Sequence, residues 1–248
     1  MSARPKGLAL FCARSNKGEE KVSLWRIFCI SKIFVIFASK RRLMKIFAVG
    51  MNYQEHNKEL HDTLLDIEEP VIFTKADSAL LTGGKPFFVP AFTQRCDYET
   101  ELVVRICRLG RSIAPRWAHR YYDQVTVGID FTARDLQQQL RVKGLPWEIS
   151  KGFDGSAVIG EMQPLGNYAD VQDLHFHLDK NGETVQRGHT ADMLHKVDEI
   201  VSYISQFFTL KMGDLIFTGT PAGVGPVKEG DHMEGFLEGK KVLEFNVR

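Results

Sequence analysis

The sequence predicts a mixed α/β protein that is mostly β, built from short strands with few helices. Four apolar runs bounded by turn residues have the composition of strands, at residues 46–49, 71–74, 102–107 and 125–129. Residues 174–179 alternate apolar and polar side chains and meet Asn181-Gly182, the strongest short hairpin signal, before residues 183–186. The strands do not alternate with helices, which argues against a doubly wound nucleotide-binding fold.

Two segments predict helices. Apolar residues recur at helical spacing between residues 192 and 208, with an aspartate near the start. A shorter helix is predicted over residues 133–143, ending at Gly144. The finish of the chain, at residues 214–218 and 242–247, is again strand-like.

The charge is unevenly distributed along the 248 residues. Residues 1–43 hold ten Lys or Arg and two acids, a balance of +8, so the rest of the chain, with 22 basic and 29 acidic residues, has −7. The apolar stretch at residues 24–38 is too short and too charged for a membrane span, and lacks the features of a secretory signal. Because Met44 is followed at once by a predicted strand, we expect residues 1–43 to be a basic extension outside the natural protein. A basic arm for targeting, nucleic acid or a membrane surface is the alternative.

The four cysteines do not form a zinc-type pattern or a disulfide framework. Such usage is expected of a reducing compartment, which predicts a cytoplasmic protein. The overall net charge of +1 gives no sign of nucleic-acid binding outside the extension.

Acidic residues at alternate positions are the most informative feature. Glu99 and Glu101 flank Thr100 just before an apolar run, so on a strand they share a face, about 7 Å apart. Asp130 is the only charge in another strand-like segment. Taken alone, a Glu-x-Glu pair is more often a solvated strand face. Three converging carboxylates would instead favour a hard divalent cation with oxygen ligands.

Three other segments contain residues that could take part in catalysis or binding. His56 and Glu59 stand at i and i+3, one face of a short helix, where a carboxylate can orient a histidine base. Lys151 follows aromatic and apolar residues and is expected to be partly desolvated. The glycine-rich run 218–225 lacks the Gly-Lys-Ser/Thr ending of a phosphate-binding loop, and is predicted to offer backbone N–H groups and threonine hydroxyls to an anion. Each feature alone is more often an ordinary surface feature.

Taken in order, the motifs resemble the fumarylacetoacetate hydrolase family, most closely its short, single-domain acylpyruvase branch. The matching stretches cover nearly all of residues 44–248 and are Val49-Gly50-Met51-Asn52-Tyr53 with His56 and Glu59, Tyr98-Glu99-Thr100-Glu101-Leu102, Asp130-Phe131-Thr132-Ala133-Arg134-Asp135-Leu136-Gln137, Gly144-Leu145-Pro146-Trp147 with Lys151, Asn181-Gly182-Glu183, Gly213-Asp214, and Thr218-Gly219-Thr220-Pro221-Ala222-Gly223-Val224-Gly225-Pro226. Residues 1–43 have no counterpart in this pattern.

The resemblance implies a rolled β-sandwich core with peripheral helices, a single catalytic domain at residues 44–248 and a homodimer. It implies one Mg²⁺ ion, with Mn²⁺ or Ca²⁺ as alternatives, and a small anionic keto-acid substrate. The implied site residues are the metal ligands Glu99, Glu101 and Asp130, the catalytic His56, Glu59 and Lys151, and the substrate-binding Gln137, Arg134 and Thr220.

The implied activity is metal-dependent hydrolysis of the C–C bond of an acylpyruvate, a 2,4-diketo acid, to pyruvate and a carboxylic acid. The same constellation serves decarboxylation of oxaloacetate or isomerisation of 2-hydroxyhepta-2,4-diene-1,7-dioate, and the sequence does not choose among these reactions. A role of the basic residues 1–43 in binding nucleic acid or a membrane surface is the non-enzymatic alternative.

Overall fold

The computed structural model describes residues 44–59 and 68–248, so the predicted basic extension lies outside the described residues. Its strands are β1 Ile46–Gly50, β2 Val71–Lys75, β3 Leu80–Leu81, β4 Cys96–Tyr98, β5 Thr100–Ile106, β6 Tyr122–Asp130, β7 Thr132–Ala133, β8 Ala157–Ile159, β9 Gln163–Pro164, β10 His175–Lys180, β11 Glu183–His189, β12 Leu215–Phe217, β13 Gly225–Pro226, β14 His232–Leu237 and β15 Lys240–Asn246. Its α-helices are α1 Gln54–Glu59, α2 Pro115–Ala118, α3 Arg134–Val142, α4 Glu148–Lys151 and α5 Val197–Phe207. Within these described ranges, no helix is long and apolar enough to cross a membrane.

The strands form a large mixed sheet and two smaller ones. The large sheet runs β2-β1-β12-β5-β6-β8-β3, with β9 added beside β6. A four-stranded sheet has the order β11-β10-β14-β15, and a small one the order β13-β4-β7. The first two sheets meet where Gly235 of β14 faces β6, since an added Cβ there would lie 3.1 Å from Val127 Cγ1. The predicted mostly β fold is confirmed.

The core forms because the buried faces of these strands are almost wholly apolar. One cluster joins residues of the large sheet to the buried face of α5, among them Leu102, Val127 and Ile200. A second cluster lies between the large sheet and the four-stranded sheet, with Ile129, Leu178 and Phe245. Strand β6 therefore contributes side chains to both clusters, and β5 contributes side chains to the first.

The longest helix begins later than the sequence predicts. The residues from Thr190 to Asp192 form a 3₁₀ turn, and Met193 then pairs with Tyr53 in an isolated β-bridge. The side chain of Asn52 fixes the next residues, because it accepts the backbone N–H of His195 at 2.7 Å and donates to its carbonyl at 3.1 Å. This long-range pairing overrides the local helical pattern, so the predicted start at residue 192 is wrong. The shorter predicted helix is confirmed by α3.

Candidate active site

The three predicted metal ligands come together where β5 and β6 pair. Glu99 is the single residue between β4 and β5, and its carbonyl accepts the backbone N–H of Asp130, the last residue of β6, at 2.8 Å. Glu101 lies opposite Gly128 in the same antiparallel ladder. Carboxylate oxygens of Glu99, Glu101 and Asp130 lie within 4.8 Å of one another, and all three residues are buried. The three carboxylates that the sequence predicted to converge therefore do lie close together in the fold.

Lys151 and Arg134 contact this carboxylate cluster directly. Lys151 ends the short helix α4, and its Nζ lies 2.6 Å from Glu99 Oε2 and 2.9 Å from Asp130 Oδ2. Arg134 begins α3, and its Nη2 lies 2.5 Å from the other Glu99 oxygen. Arg134 Nη1 also donates to Gln137 Oε1 at 2.6 Å, and its Nε donates to buried Asp97 at 2.9 Å. The guanidinium is thus held between the metal-ligand cluster and a predicted substrate-binding side chain.

Lys75 is a member of the site that sequence reasoning missed. Its Nζ lies 2.5 Å from Asp130 Oδ1 and 3.1 Å from Ser156 Oγ, and it also contacts the carbonyl of Lys151. The side chain is completely buried. No local pattern indicated it, because a lysine at the end of a short strand is typical of a solvated position. Lys75 holds one oxygen of Asp130 while Lys151 holds the other.

The carboxylates of the site are not equally paired with cations. Four carboxylates (Asp97, Glu99, Glu101 and Asp130) lie with four cations (Lys75, Arg95, Arg134 and Lys151), so the formal balance is −4 + 4 = 0. Burial raises the pKa of Glu99, but Lys151 and Arg134 outweigh it and hold that pKa below its usual range. Glu101 differs, since burial and then the charge of Asp130 raise its pKa well above the usual range. Glu101 is therefore the carboxyl of the cluster whose neutral form is most favoured, and among the described residues no cation forms an ion pair with it.

His56 and Glu59 lie on α1, as predicted, with Nδ1 of the imidazole 3.5 Å from Glu59 Oε2. His56 is buried, and this burial lowers its pKa even though Glu99 acts in the opposite direction. The ring is therefore neutral at pH 7 and able to accept a proton. Glu59 also accepts the backbone N–H of Gly223 at 3.1 Å, which ties the helix to the glycine-rich loop.

The glycine-rich loop binds the protein's own carboxylates. The backbone N–H of Gly219 donates to Glu101 Oε2 at 2.6 Å. The hydroxyl of Thr220 donates to the carbonyl of Thr100 at 2.9 Å and accepts from Gln186 Nε2 at 2.7 Å. Gly219 has a φ of +98°, and an added Cβ would lie 2.6 Å from Asn52 Cβ, so only glycine permits this turn. The loop therefore offers backbone N–H groups to the carboxylates of Glu101 and Glu59, whereas its threonine hydroxyls donate to backbone carbonyls, and its binding of a substrate anion stays a prediction.

A small cavity of about 30 Å³ opens onto the cluster. Seven of the nine predicted site residues line it, namely His56, Glu99, Asp130, Arg134, Gln137, Lys151 and Thr220. The other two do not line it, although Glu101 belongs to the carboxylate cluster and Glu59 lies 3.5 Å from His56 Nδ1. Phe73 and Trp147 complete the wall with an edge-to-face contact, their ring centroids 5.8 Å apart. The structure thus gathers the predicted residues into one site, although their individual roles stay predictions.

These residues fit a hard divalent cation. The donors are three buried carboxylates from separate backbone positions, the oxygen set that Mg²⁺ and Mn²⁺ prefer. Burial and the charge of Asp130 raise the pKa of Glu101, and a bound cation would act in the opposite direction by favouring the ionised carboxylate. A divalent ion would raise the formal charge of the site by two and so favour an anionic substrate.

Residues 45–248 match the family described as "Fumarylacetoacetate (FAA) hydrolase C-terminal". The chain belongs to the fumarylacetoacetate hydrolase family. The resemblance found in the sequence motifs is thereby confirmed, and so is the prediction that the chain is an enzyme.

Relatives within the family differ in their named reactions. The mitochondrial oxaloacetate tautomerase FAHD1 of Mus musculus is 38% identical over 203 residues, covering 82% of this chain and 91% of its own. Fumarylpyruvate hydrolase from Pseudomonas aeruginosa, in complex with Mn²⁺ and pyruvate, has a TM-score of 0.77 and 35% identity, with 85% of this chain and 93% of its own covered. The 2-hydroxyhepta-2,4-diene-1,7-dioate isomerase of Mycobacterium marinum has a TM-score of 0.70 and 33% identity, covering 83% and 75%. The Mn²⁺ complex supports a divalent metal in this family site.

Proposed function

We propose that this enzyme hydrolyses an acylpyruvate to pyruvate and a carboxylic acid, using one divalent cation held by Glu99, Glu101 and Asp130. The observation that carries the proposal is the His56–Glu59 pair at the same cavity as the carboxylate cluster. A water-activating base is needed for hydrolysis, whereas keto–enol isomerisation needs only a proton shuttle.

The cationic and amide side chains would bind the substrate. Arg134 and Gln137 are already joined by a hydrogen bond, which orients both for the oxygens of a 2-keto acid. A bound divalent cation supplies Lewis-acid polarisation of those oxygens. Lys151 carries the charge that stabilises oxyanion development at the distal carbonyl, since its pKa is raised and it stays protonated.

His56 would take the proton from the attacking water. Because Nδ1 is turned toward Glu59, Nε2 is the nitrogen that accepts it. The water oxygen forms a bond to the distal carbonyl carbon, and the C–C bond to the pyruvate methylene then breaks. The electron pair goes to that methylene carbon, which takes a proton to give pyruvate. Acylpyruvate and water are thus converted to pyruvate and a carboxylic acid without any other reactant.

Tautomerisation or decarboxylation of oxaloacetate is a second candidate. The favouring observation is the 38% identity to a relative named as an oxaloacetate tautomerase. The same carboxylate cluster and cations would serve it, but the water-activating role of His56 would not be required. Isomerisation of a hydroxylated dienedioate, the reaction named for another relative, rests on the same reasoning.

Pyruvate release from acetylpyruvate, coupled to NADH consumption by lactate dehydrogenase, tests the proposal. We expect turnover with Mg²⁺ or Mn²⁺ and its loss in EDTA. Oxaloacetate is assayed in parallel for enol–keto conversion and for loss of CO₂. Turnover of oxaloacetate alone would select the second candidate. A protein that binds Mn²⁺ yet acts on none of these compounds would refute the enzymatic proposal.

We further propose that Mg²⁺ is the native metal, that the enzyme is a cytoplasmic homodimer, and that residues 44–248 form the catalytic domain. A chain begun at Met44 should keep the full activity and dimerise in analytical ultracentrifugation. Loss of salt-dependent binding to nucleic acid or anionic vesicles on this deletion, with no activity in either chain, would instead favour the non-enzymatic reading.

A further inference from the structure

A second, larger cavity lies directly behind the wall of the proposed active site. It has a volume of about 600 Å³, against about 30 Å³ for the cavity at the carboxylate cluster. Phe73 and Trp147 line both cavities. The volume of the larger one is within the range of pockets that hold small molecules, ~300–1,000 Å³. The two rings are therefore a shared partition between a polar reaction site and a ligand-sized groove.

The proposed role of Lys151 places the acyl group of a bound acylpyruvate next to this partition. Lys151 Nζ lies over the ring of Phe73, 5.4 Å from its centroid. Lys151 is the residue assigned above to the distal carbonyl, the carbon to which the acyl group is attached. An acyl group that continues beyond Lys151 therefore meets Phe73 and Trp147 first. The small cavity has room for about two water molecules, so the acyl group must extend elsewhere.

The chemistry of the groove selects the kind of acyl group. Apart from a threonine, a tyrosine and one acid, its lining is aliphatic, aromatic or proline: Pro70, Val71, Ile72, Phe73, Leu145, Pro146, Trp147, Ile204, Phe207 and Phe208. Among the described residues that line it, the only one with a full charge at neutral pH is Glu148. A second carboxylate on the substrate would meet an apolar wall and a like charge, whereas an uncharged ring or branched chain would bury apolar surface.

We propose that this groove is an acyl-group subsite and that the preferred substrates are acylpyruvates with a large uncharged acyl group, aromatic or branched aliphatic. The inference rests on the proposed hydrolase function. A preference for an uncharged acyl group would distinguish this enzyme from one adapted to dicarboxylic substrates such as fumarylpyruvate or oxaloacetate. The specificity-determining residues of the subsite are Trp147, which is part of the partition, and Leu145, which lines only the groove.

The substrate test compares kcat/KM, with Mn²⁺ present, for acetylpyruvate, benzoylpyruvate and fumarylpyruvate. We expect benzoylpyruvate to exceed fumarylpyruvate at least tenfold, the scale on which apolar pockets discriminate. Acetylpyruvate cleaved with no advantage for benzoylpyruvate would overturn the subsite and leave the hydrolase proposal standing. No pyruvate from any of the three would overturn the hydrolase proposal itself.

Substitutions of Leu145 locate the subsite. This side chain is 47% exposed, so replacement should not disturb the fold. Leu145→Trp fills the groove and should lower the benzoylpyruvate-to-acetylpyruvate ratio of kcat/KM at least fivefold. Leu145→Arg adds a cation and should raise the fumarylpyruvate-to-benzoylpyruvate ratio at least tenfold.

Met212 provides the matched control. It is 46% exposed and lines a separate cavity of about 300 Å³ together with Met44 and Leu80. Met212→Trp and Met212→Arg should leave all three substrate ratios unchanged. Equal responses of the Leu145 and Met212 variants, or unchanged ratios in both Leu145 variants, would refute the assignment of the groove.

Discussion

Glu101→Gln tests the metal site most directly, because Glu101 differs from its two neighbours. The cations contact Glu99 and Asp130, at 2.5–2.9 Å, whereas Glu101 accepts the backbone N–H of Gly219 at 2.6 Å. Glutamine keeps an oxygen for that hydrogen bond and removes only the charge. The substitution should therefore weaken metal binding but stabilise the metal-free protein in EDTA.

The magnitude follows from the separation of the charges. Two like charges 4.8 Å apart, the limit of the cluster, repel by about 3.5 kcal/mol at an effective dielectric constant of about 20. Lys151 offsets part of this repulsion, so we expect Glu101→Gln to stabilise the chelated protein by about 1–2 kcal/mol. That corresponds to a rise in Tm of roughly 2–8 °C for a domain of this size. Loss of the ligand should weaken Mn²⁺ binding by more than the ~10–100-fold of a supporting residue.

The pH dependence gives a second signature. A carboxyl whose pKa is raised on folding binds more protons in the folded than in the unfolded state, so it reduces stability as pH rises from the unfolded pKa toward the folded one. The slope is about 1.4 kcal/mol per pH unit within that window. The Tm advantage of Glu101→Gln in EDTA should therefore be small at pH 5 and larger at pH 8.

The assays are differential scanning calorimetry in EDTA at both pH values and titration of Mn²⁺ followed by electron paramagnetic resonance. Asp214→Asn is the control, because Asp214 is also fully buried but is paired with Lys45 at 2.6 Å. This control should lower the Tm at pH 8 and leave Mn²⁺ affinity nearly unchanged. Unchanged Mn²⁺ affinity in Glu101→Gln, or a loss of Tm like that of the control, would refute the reasoning.

Three further perturbations follow from the same structure. His56→Ala should reduce acylpyruvate hydrolysis by about 10²–10⁴-fold in kcat while oxaloacetate turnover falls less, and equal losses would indicate a binding or folding defect. Lys75→Met should lower the free energy of unfolding in urea by roughly 3–5 kcal/mol, because it leaves the buried Asp130 oxygen without its cation; a change below 1 kcal/mol would contradict this. Gly128→Ala should cost about 1–3 kcal/mol, since its Cβ would lie 2.7 Å from a valine methyl, whereas Gly166→Ala meets nothing within 4 Å and should be near neutral by thermal unfolding.

Local patterns predicted the parts of the fold that depend on neighbouring residues. The hairpin at Asn181-Gly182 is present, with both residues at positive φ, 56° and 82°, as a tight turn of this type requires. Glu99 and Glu101 stand out because they alternate just before an apolar run, and Asp130 because it is the only charge in an apolar segment. Their convergence follows from the antiparallel pairing of β5 with β6.

Features set by distant contacts could not be predicted from these patterns. Lys75 reads as an ordinary polar end of a strand, and only the three-dimensional fold brings it to Asp130, 55 positions later. The late start of α5 has the same origin, since Asn52 holds the backbone of His195 from 143 positions away. The cavity behind Phe73 and Trp147 also gave no sequence signal, because its apolar lining comes from three separate segments.

The arrangement of charges links the stability of the site to its chemistry. A cluster of carboxylates with a full complement of cations would have little affinity for a divalent ion, and one without cations would be costly to bury. Here the cations contact Glu99 and Asp130, whereas Glu101 accepts the backbone N–H of Gly219 and, among the described residues, forms no ion pair. A divalent ion would add two positive charges beside the proposed substrate position, so we expect an anionic substrate to bind more tightly once the metal is bound. Binding of metal before substrate is the expected kinetic order.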